Sequence, residues 1–128
     1  EFFVARKDAP AAIAALEKIA PQINEILWVT EIRAIAADDL WMSPHYQRDS
    51  IGIHFTWKKV DAVYEIVKVV EATLAPFVYR PHLGKVFSAT PDYFKSVMPK
   101  FDDFKNLVME IDTTNKFGNE FTNQLINR

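Results

Sequence analysis

Apolar and polar residues alternate along several segments of the chain, and this period of two predicts β-strands. Ser50 to Trp57 alternates most regularly, with an apolar side chain at every second position. Leu27 to Ala34 is rich in β-branched and aromatic residues, which favour strands. Two shorter apolar segments, Phe2 to Ala5 and Phe77 to Tyr79, are predicted as further strands. The pattern therefore predicts four strands.

Apolar residues at helical spacing predict two helices between these strands. The first helix follows Asp8, a candidate N-cap, and Pro21 is predicted to mark a break or a new first turn. Two apolar stripes define the helices: Ile13, Leu16, Ile19 and Ile23 in the first, and Val63, Ile66, Val67, Val70 and Leu74 in the second. From Pro91 onward we expect two short helices and a polar tail, divided at Pro99.

The predicted order is β-α-β-β-α-β with additional helices at the carboxy-terminal end. This order is typical of the ferredoxin-like arrangement, in which two helices cover one face of an antiparallel sheet. The fold class is therefore predicted as α+β. We find no internal repeat, and residues 1–128 are predicted to form one domain.

The phase of the two central strands places four polar residues on one face. In the strand from Ser50, His54 and Thr56 point away from the apolar side; in the preceding strand, Glu31 and Arg33 point away from Trp28, Thr30 and Ile32. If the apolar sides both pack on the helices, the four polar residues converge on the open face.

Two interpretations of this polar face remain open. An antiparallel sheet with helices on one side usually presents a polar face to water, and a surface ion pair contributes about 0–1 kcal/mol. Alternatively, a carboxylate, a guanidinium, an imidazole and a hydroxyl could bind a polyhydroxylated ligand, which requires several fixed donors and acceptors. The alternation alone favours the solvated face.

Composition and charge exclude several classes of protein. The chain has 128 residues, 49% of them hydrophobic, and a net charge of −2, which argues against disorder and against nucleic-acid binding. No apolar run approaches the roughly 20 residues that a membrane helix needs. The chain has no cysteine, which is compatible with a cytoplasmic location, and its three histidines are too widely spaced to predict a metal site. The chain begins inside an apolar segment without Met, which suggests a fragment.

Four motifs are similar to those of the alditol (xylitol) oxidases. These enzymes belong to the vanillyl-alcohol-oxidase-like FAD-dependent oxidases, together with the aldonolactone oxidases. The resemblance extends from Glu1 to about Phe121, and the motifs are Thr30-Glu31-Ile32-Arg33, Ala36-Ala37-Asp38-Asp39-Leu40-Trp41-Met42-Ser43-Pro44, His54-Phe55-Thr56-Trp57 and Arg80-Pro81-His82-Leu83-Gly84-Lys85.

The resemblance implies that the chain is the carboxy-terminal, substrate-binding (cap) domain of such an oxidase. Glu31, Arg33 and Thr56 would then bind the substrate hydroxyls, and His54 and Lys85 would be the catalytic residues beside the reacting hydroxyl. In this family, hydride passes to the flavin and oxygen is reduced to hydrogen peroxide. The FAD would be bound mainly by an amino-terminal domain that this chain lacks, and the chain alone is predicted to be inactive.

The resemblance to this oxidase family also implies three candidate cofactor contacts, namely His82, Lys116 and Asn119. The family pattern is only partly kept, because Leu83 replaces a common Trp and the segment from Asp112 to Phe117 retains only its outer residues. The last two candidates therefore have the weaker support.

Two alternatives to an alditol oxidase remain open. The chain could be the cap domain of an arabinono- or gulono-1,4-lactone oxidase, whose substrate is a sugar lactone instead of a polyol. It could also be a free-standing ferredoxin-like binding module without enzymatic activity. A homo-oligomer that forms through the polar sheet face is a further expectation for the chain by itself.

Overall fold

Four strands form one antiparallel sheet. The structure is a computed structural model that describes residues 1–128. Its strands are β1 (Phe2–Ala5), β2 (Leu27–Ile35), β3 (Ser50–Trp57) and β4 (Arg80–Pro81). Their order in the sheet is β2-β3-β1-β4, and every neighbouring pair is antiparallel. β3 thus lies between β1 and β2, as in a split β-α-β unit, and the predicted fold class is confirmed.

Two helices cover one face of the sheet and form the main core with it. Helix α1 (Ala9–Ile23) follows β1, and helix α2 (Ala62–Leu74) follows β3. β1 and β3 direct every second side chain into this core, and both helices pack their apolar stripes against it. Its fully buried residues include Phe2, Val4, Ala12, Val67, Val70 and Leu74. Removing these side chains from water supplies the main stabilisation, at about 25 cal/mol per Å² of apolar surface.

The carboxy-terminal part contains three helices instead of the predicted two and a polar tail. They are α3 (Pro91–Val97), α4 (Phe101–Ile111) and α5 (Glu120–Leu125), and a second small core lies among them. Helix α5 lies in the segment that was predicted to be a polar tail. It forms because Asn119 and Thr122 make a reciprocal capping box and Leu125 is buried at its end. None of the helices combines the length and the apolar character needed to cross a membrane.

Two other predicted boundaries are wrong. Phe77 to Tyr79 is not a strand: Ala75–Phe77 forms a 3-10 turn, and Val78 has a φ of 49°, so the pairing with β1 begins only at Arg80. Pro76 lies in the first turn of this 3-10 helix, where its fixed φ and missing N–H are tolerated. Pro21 does not end helix α1, which continues to Ile23.

Strand β2 lies at the edge of the sheet and is exposed on both faces. The expectation that its apolar side packs on the helices is wrong, because Trp28 is 70% exposed and Ile32 is 55% exposed. The pairing with β3 is also irregular between Leu27 and Val29, which shifts the alternation at Trp28. The two helices cover the middle of the sheet and leave this edge free.

Candidate functional site

The open face of the sheet brings the predicted polar residues together. Glu31 pairs with His54 across β2 and β3, and Arg33 pairs with Gly52. Paired residues share a face, and Thr56 lies two positions beyond His54 on the same side. The predicted convergence of Glu31, Arg33, His54 and Thr56 is therefore present in the structure.

Glu1 and His82 extend this set across the other two strands. Phe2 pairs with Ile53 of β3 and with Pro81 of β4, so the preceding residue, Glu1, lies beside His54 on one side. On the other side, the backbone amide of His82 donates to the carbonyl of Glu1 at 3.0 Å. A polar row crosses the whole sheet at this level: Glu31, His54, Glu1 and His82.

Glu1 is a functional candidate that the sequence analysis missed. Its side chain is only 6% exposed, and its Oε1 atom lies 3.2 Å from a terminal nitrogen of Arg33. The other terminal nitrogen of Arg33 bonds the carboxylate of Glu31. One guanidinium therefore joins two carboxylates, one enclosed and one half-exposed. Glu1 lies on the same face as Phe3, but only the pairing register of β1 and β3 brings it beside His54.

His54 is enclosed and has polar groups near both ring nitrogens. Its side chain is 13% exposed, and Nδ1 lies 3.5 Å from Oε2 of Glu1 without a hydrogen bond of ordinary geometry. Its Nε2 atom lies 3.0 Å from Oγ1 of Thr56. The hydroxyl of Thr30 donates to the backbone carbonyl of His54 at 2.7 Å and so fixes the strand at this point. The imidazole is held between a carboxylate and a hydroxyl.

Lys85 reaches the same region from the loop that follows β4. The loop turns back on His82, whose carbonyl accepts from the amide of Lys85 at 3.0 Å and whose Nδ1 accepts from the amide of Gly84 at 3.0 Å. At its other end, the amide of Ser88 donates to the buried carboxylate of Glu71 at 3.0 Å. The loop is thus fixed to the sheet through the amide of His82 and to helix α2 through Glu71.

Two neighbouring pockets contain most of the candidate residues of the sheet face, but Glu31 lines neither of them. His54, Thr56 and Lys85 line an open pocket of about 700 Å³ together with Trp57 and Tyr64. Glu1, Arg33, His45 and His82 line a second pocket of about 350 Å³. The first pocket therefore contains both predicted catalytic residues, and the second contains the guanidinium.

Burial favours the neutral form of two histidines beside the second pocket. Burial lowers the pKa of His82 below its usual value, and the nearby Glu1 carboxylate opposes this shift. Burial likewise lowers the pKa of His45, and Asp38 opposes it. A neutral imidazole can accept a hydrogen bond as well as donate one.

The three candidate cofactor contacts lie in different surroundings. His82 borders the sheet face, where its Nδ1 accepts from Gly84 and leaves Nε2 for another partner. The side-chain oxygen of Asn119 accepts from the amide of Thr122 at 2.9 Å and caps helix α5. The ammonium group of Lys116 lies 5.9 Å from the ring centre of Phe117. Neither Lys116 nor Asn119 lines the two pockets of the sheet face.

An apolar groove of about 400 Å³ lies between helices α4 and α5. Leu107 and Phe121 line it, and Phe117 at its rim is 80% exposed. This groove was not predicted from the sequence, because helix α5, which forms one of its walls, was not predicted either.

The comparisons with known proteins show the family of the chain. The family model described as D-arabinono-1,4-lactone oxidase matches residues 1–125. The chain belongs to the D-arabinono-1,4-lactone oxidase family. A member of this oxidase family, the alditol oxidase of Streptomyces sp. (strain IKD472 / FERM P-14339), is 35% identical over 127 residues. The match covers 98% of this chain and 31% of that protein, so the chain spans about a third of its relative's length.

The D-arabinono-1,4-lactone oxidase family is FAD-dependent, and the glycines of this chain show whether it could bind the pyrophosphate of that cofactor. A pyrophosphate is usually bound by a glycine-rich turn at a helix amino terminus. The chain has three glycines, Gly52, Gly84 and Gly118, and they are not clustered. A Cβ atom on Gly52 would lie 2.9 Å from the ring of Phe3, so this position is already filled. The glycines of this chain therefore do not fit the pyrophosphate of the cofactor.

Proposed function

We propose that this chain is the substrate-binding part of an FAD-dependent oxidase that acts on the terminal hydroxyl of an alditol such as xylitol or sorbitol. The observation that carries the proposal is that His54, Thr56 and Lys85 line the same pocket. The charged pair of Glu31 and Arg33 lies on the same sheet face. The similarity to an alditol oxidase over almost the whole chain supports this substrate class.

The polar face suits a chain of hydroxyl groups. Glu31 offers acceptors, Arg33 and Lys85 offer donors, and the hydroxyl of Thr56 can do both. Such a site discriminates against ligands that leave these groups without partners. In the free chain, Arg33 and Glu31 satisfy each other, and a polyol would insert its hydroxyls along the half-exposed side of this pair.

His54 and Lys85 would handle the proton of the reacting hydroxyl. The carbon–hydrogen bond at the carbon that carries the reacting hydroxyl would break, and its electron pair would leave as hydride. The hydroxyl proton would move to Nε2 of His54, and the carbon–oxygen bond would become a carbonyl. The ammonium group of Lys85 would stabilise the negative charge that develops on the oxygen. A bound flavin supplies the two-electron acceptor, which oxygen regenerates with release of hydrogen peroxide.

Several parts of the complete system would lie outside this chain. We propose that an amino-terminal domain binds the FAD and closes over the polar face, and that His82, with smaller contributions from Lys116 and Asn119, contacts the cofactor. The chain alone would then be colourless and inactive. A cytoplasmic location and self-association of the chain through its open face are part of the same proposal, and light scattering would test the latter.

Substitution of the two catalytic candidates tests this proposal. In the full-length protein with xylitol, His54→Ala and Lys85→Ala should each lower kcat for peroxide formation by about 10²- to 10⁴-fold, the usual contribution of a positioned proton acceptor or charge. Lys18→Ala, on the exposed side of α1, is the matched control and should retain activity. Wild-type turnover in both site variants would refute the assignment.

A sugar lactone is the second candidate substrate, and the family that matches the chain favours it specifically. Glu31 and Arg33 would then contact a cyclic ester instead of an open polyol. Parallel measurement of kcat/KM for xylitol and for an arabinono-1,4-lactone separates the two. Activity on the lactone without activity on alditols would replace our first choice.

A further inference from the structure

We propose that Glu1 is a positioning residue that sets the tautomer and the orientation of His54. The catalytic role of Glu1 rests on the proposed function, but its effect on the tautomer of His54 can be measured separately. It assigns a role to an enclosed carboxylate that the sequence motifs did not include. The role follows from the surroundings of each ring nitrogen of His54.

The Nδ1 atom of His54 has one acceptor within reach. It is buried without a hydrogen bond of ordinary geometry, and Oε2 of Glu1 lies 3.5 Å away. A buried polar atom without a partner is unfavourable, and a small rotation of the imidazole would bring Nδ1–H onto the carboxylate. The opposite tautomer would direct a lone pair of Nδ1 at a negative charge. Glu1 therefore favours the proton on Nδ1.

The Nε2 atom then becomes the acceptor of the ring. It lies 3.0 Å from the Thr56 hydroxyl, which can donate to it in the free chain. During the reaction, the same lone pair would take the hydroxyl proton of the substrate. With the proton on Nε2 instead, the neutral imidazole could not accept a proton at the pocket. The tautomer thus decides whether His54 can act as a base there.

Arg33 fixes Glu1 for this role. Oε1 of Glu1 lies 3.2 Å from the guanidinium, so the carboxylate uses one oxygen for Arg33 and presents the other to His54. The carboxylate is 6% exposed, so water competes little for these contacts. Glu1 therefore links the residue proposed to bind the substrate with the residue proposed to take its proton.

Nitrogen NMR of the imidazole tests the structural part in the 128-residue chain. Long-range ¹H–¹⁵N spectra at a pH where His54 is neutral should show the Nδ1–H tautomer in the wild type. Glu1→Leu should move the population toward Nε2–H. Glu1→Gln should also move it toward Nε2–H, because Arg33 takes the single amide oxygen and the NH2 group is left to donate to Nδ1. Glu17→Leu, on the exposed side of α1, is the control. An Nε2–H tautomer in the wild type would overturn the inference without any variant.

Steady-state kinetics of the full-length protein test the catalytic part. Glu1→Leu should lower kcat by about 100-fold, at the low end of the contribution of a positioned base. KM should change by less than about threefold, since uniform substrate binding is retained. Glu1→Gln, which keeps the size of the side chain and its contact with Arg33, should lower kcat to a similar extent, and a folding defect confined to Glu1→Leu would not imitate this.

The two experiments separate the inference from the proposed function. An Nδ1–H tautomer that depends on Glu1, in a protein that oxidises neither alditols nor lactones, would refute the proposed function and keep the structural role. Wild-type oxidase activity with an unchanged kcat in Glu1→Leu would refute the role of Glu1 and keep the proposed function.

Discussion

The two faces of β3 have opposite surroundings although they alternate residue by residue. Ile53 and Phe55 point into the helix-covered core and are 3% and 7% exposed. His54, between them, points to the open face and has a carboxylate and a hydroxyl beside its ring nitrogens. The covered face supplies the stability of the fold, whereas the open face supplies the groups that can bind and react. One strand therefore serves both purposes without sharing a residue between them.

The largest effect should come from a cavity in the covered face. Leu74→Ala removes an apolar side chain that is 0% exposed, and such substitutions cost about 2–5 kcal/mol in the free energy of unfolding. Urea unfolding followed by circular dichroism measures this loss. Leu40→Ala, at a position that is 68% exposed, is the matched control and should stay within about 0.5 kcal/mol. Equal effects would contradict the division between the faces.

A smaller, pH-dependent effect should come from the open face. The pKa values of His45 and His82 are lowered in the folded chain, chiefly by burial. Their neutral forms favour folding above the ordinary histidine pKa of about 6.5, and this contribution is lost as the pH falls through the lower folded values. The free energy of unfolding should therefore decrease on acidification below that pH.

Replacing both of these histidines isolates their contribution. The double variant His45→Gln/His82→Gln should show a weaker decrease in unfolding free energy between neutral and mildly acidic pH than the wild type. The variant Lys18→Ala should keep the wild-type slope. An unchanged slope in the double variant would assign the acid sensitivity to other groups.

The smallest effect should come from the exposed apolar side of β2. Ile32 lies on the same side of the sheet as the core but is 55% exposed. Ile32→Thr keeps a β-branched residue at an edge position and should change the unfolding free energy by less than about 0.5 kcal/mol. A loss comparable to that of Leu74→Ala would show that something covers this side of the strand in solution.

Two different patterns made the central strands predictable. The bounds of β1 and β3 agree with the prediction: apolar residues recur at every second position in β3, and β1 is a short segment that is apolar throughout. The segment Phe77 to Tyr79 has the composition of a strand, but Pro76 and the left-handed backbone of Val78 make it a turn. Local composition does not distinguish these two outcomes.

The site was only half predictable for a similar reason. The alternation of β2 and β3 placed Glu31, Arg33, His54 and Thr56 on one face. Lys85 lies in a loop without periodicity, so only the family resemblance pointed to it. Glu1 and His54 are 53 positions apart in the chain, and they lie side by side only because β1 pairs with β3. A cross-strand register of this kind is not contained in any local pattern.

The polar row across the sheet has a consequence for how folding and ligand binding are coupled. Glu31 and His54 lie in β2 and β3, and Glu1 and His82 lie directly beside the ends of β1 and β4. β1 pairs with residues at positions 50–53 and 80–81. Bringing strands together that are so distant in the chain costs chain entropy before their contacts can stabilise the fold. A partly folded chain therefore does not contain the complete polar row. A ligand that needs the row would bind only the native state. At a concentration of 100 times its dissociation constant, it would raise the unfolding free energy by about 2.7 kcal/mol.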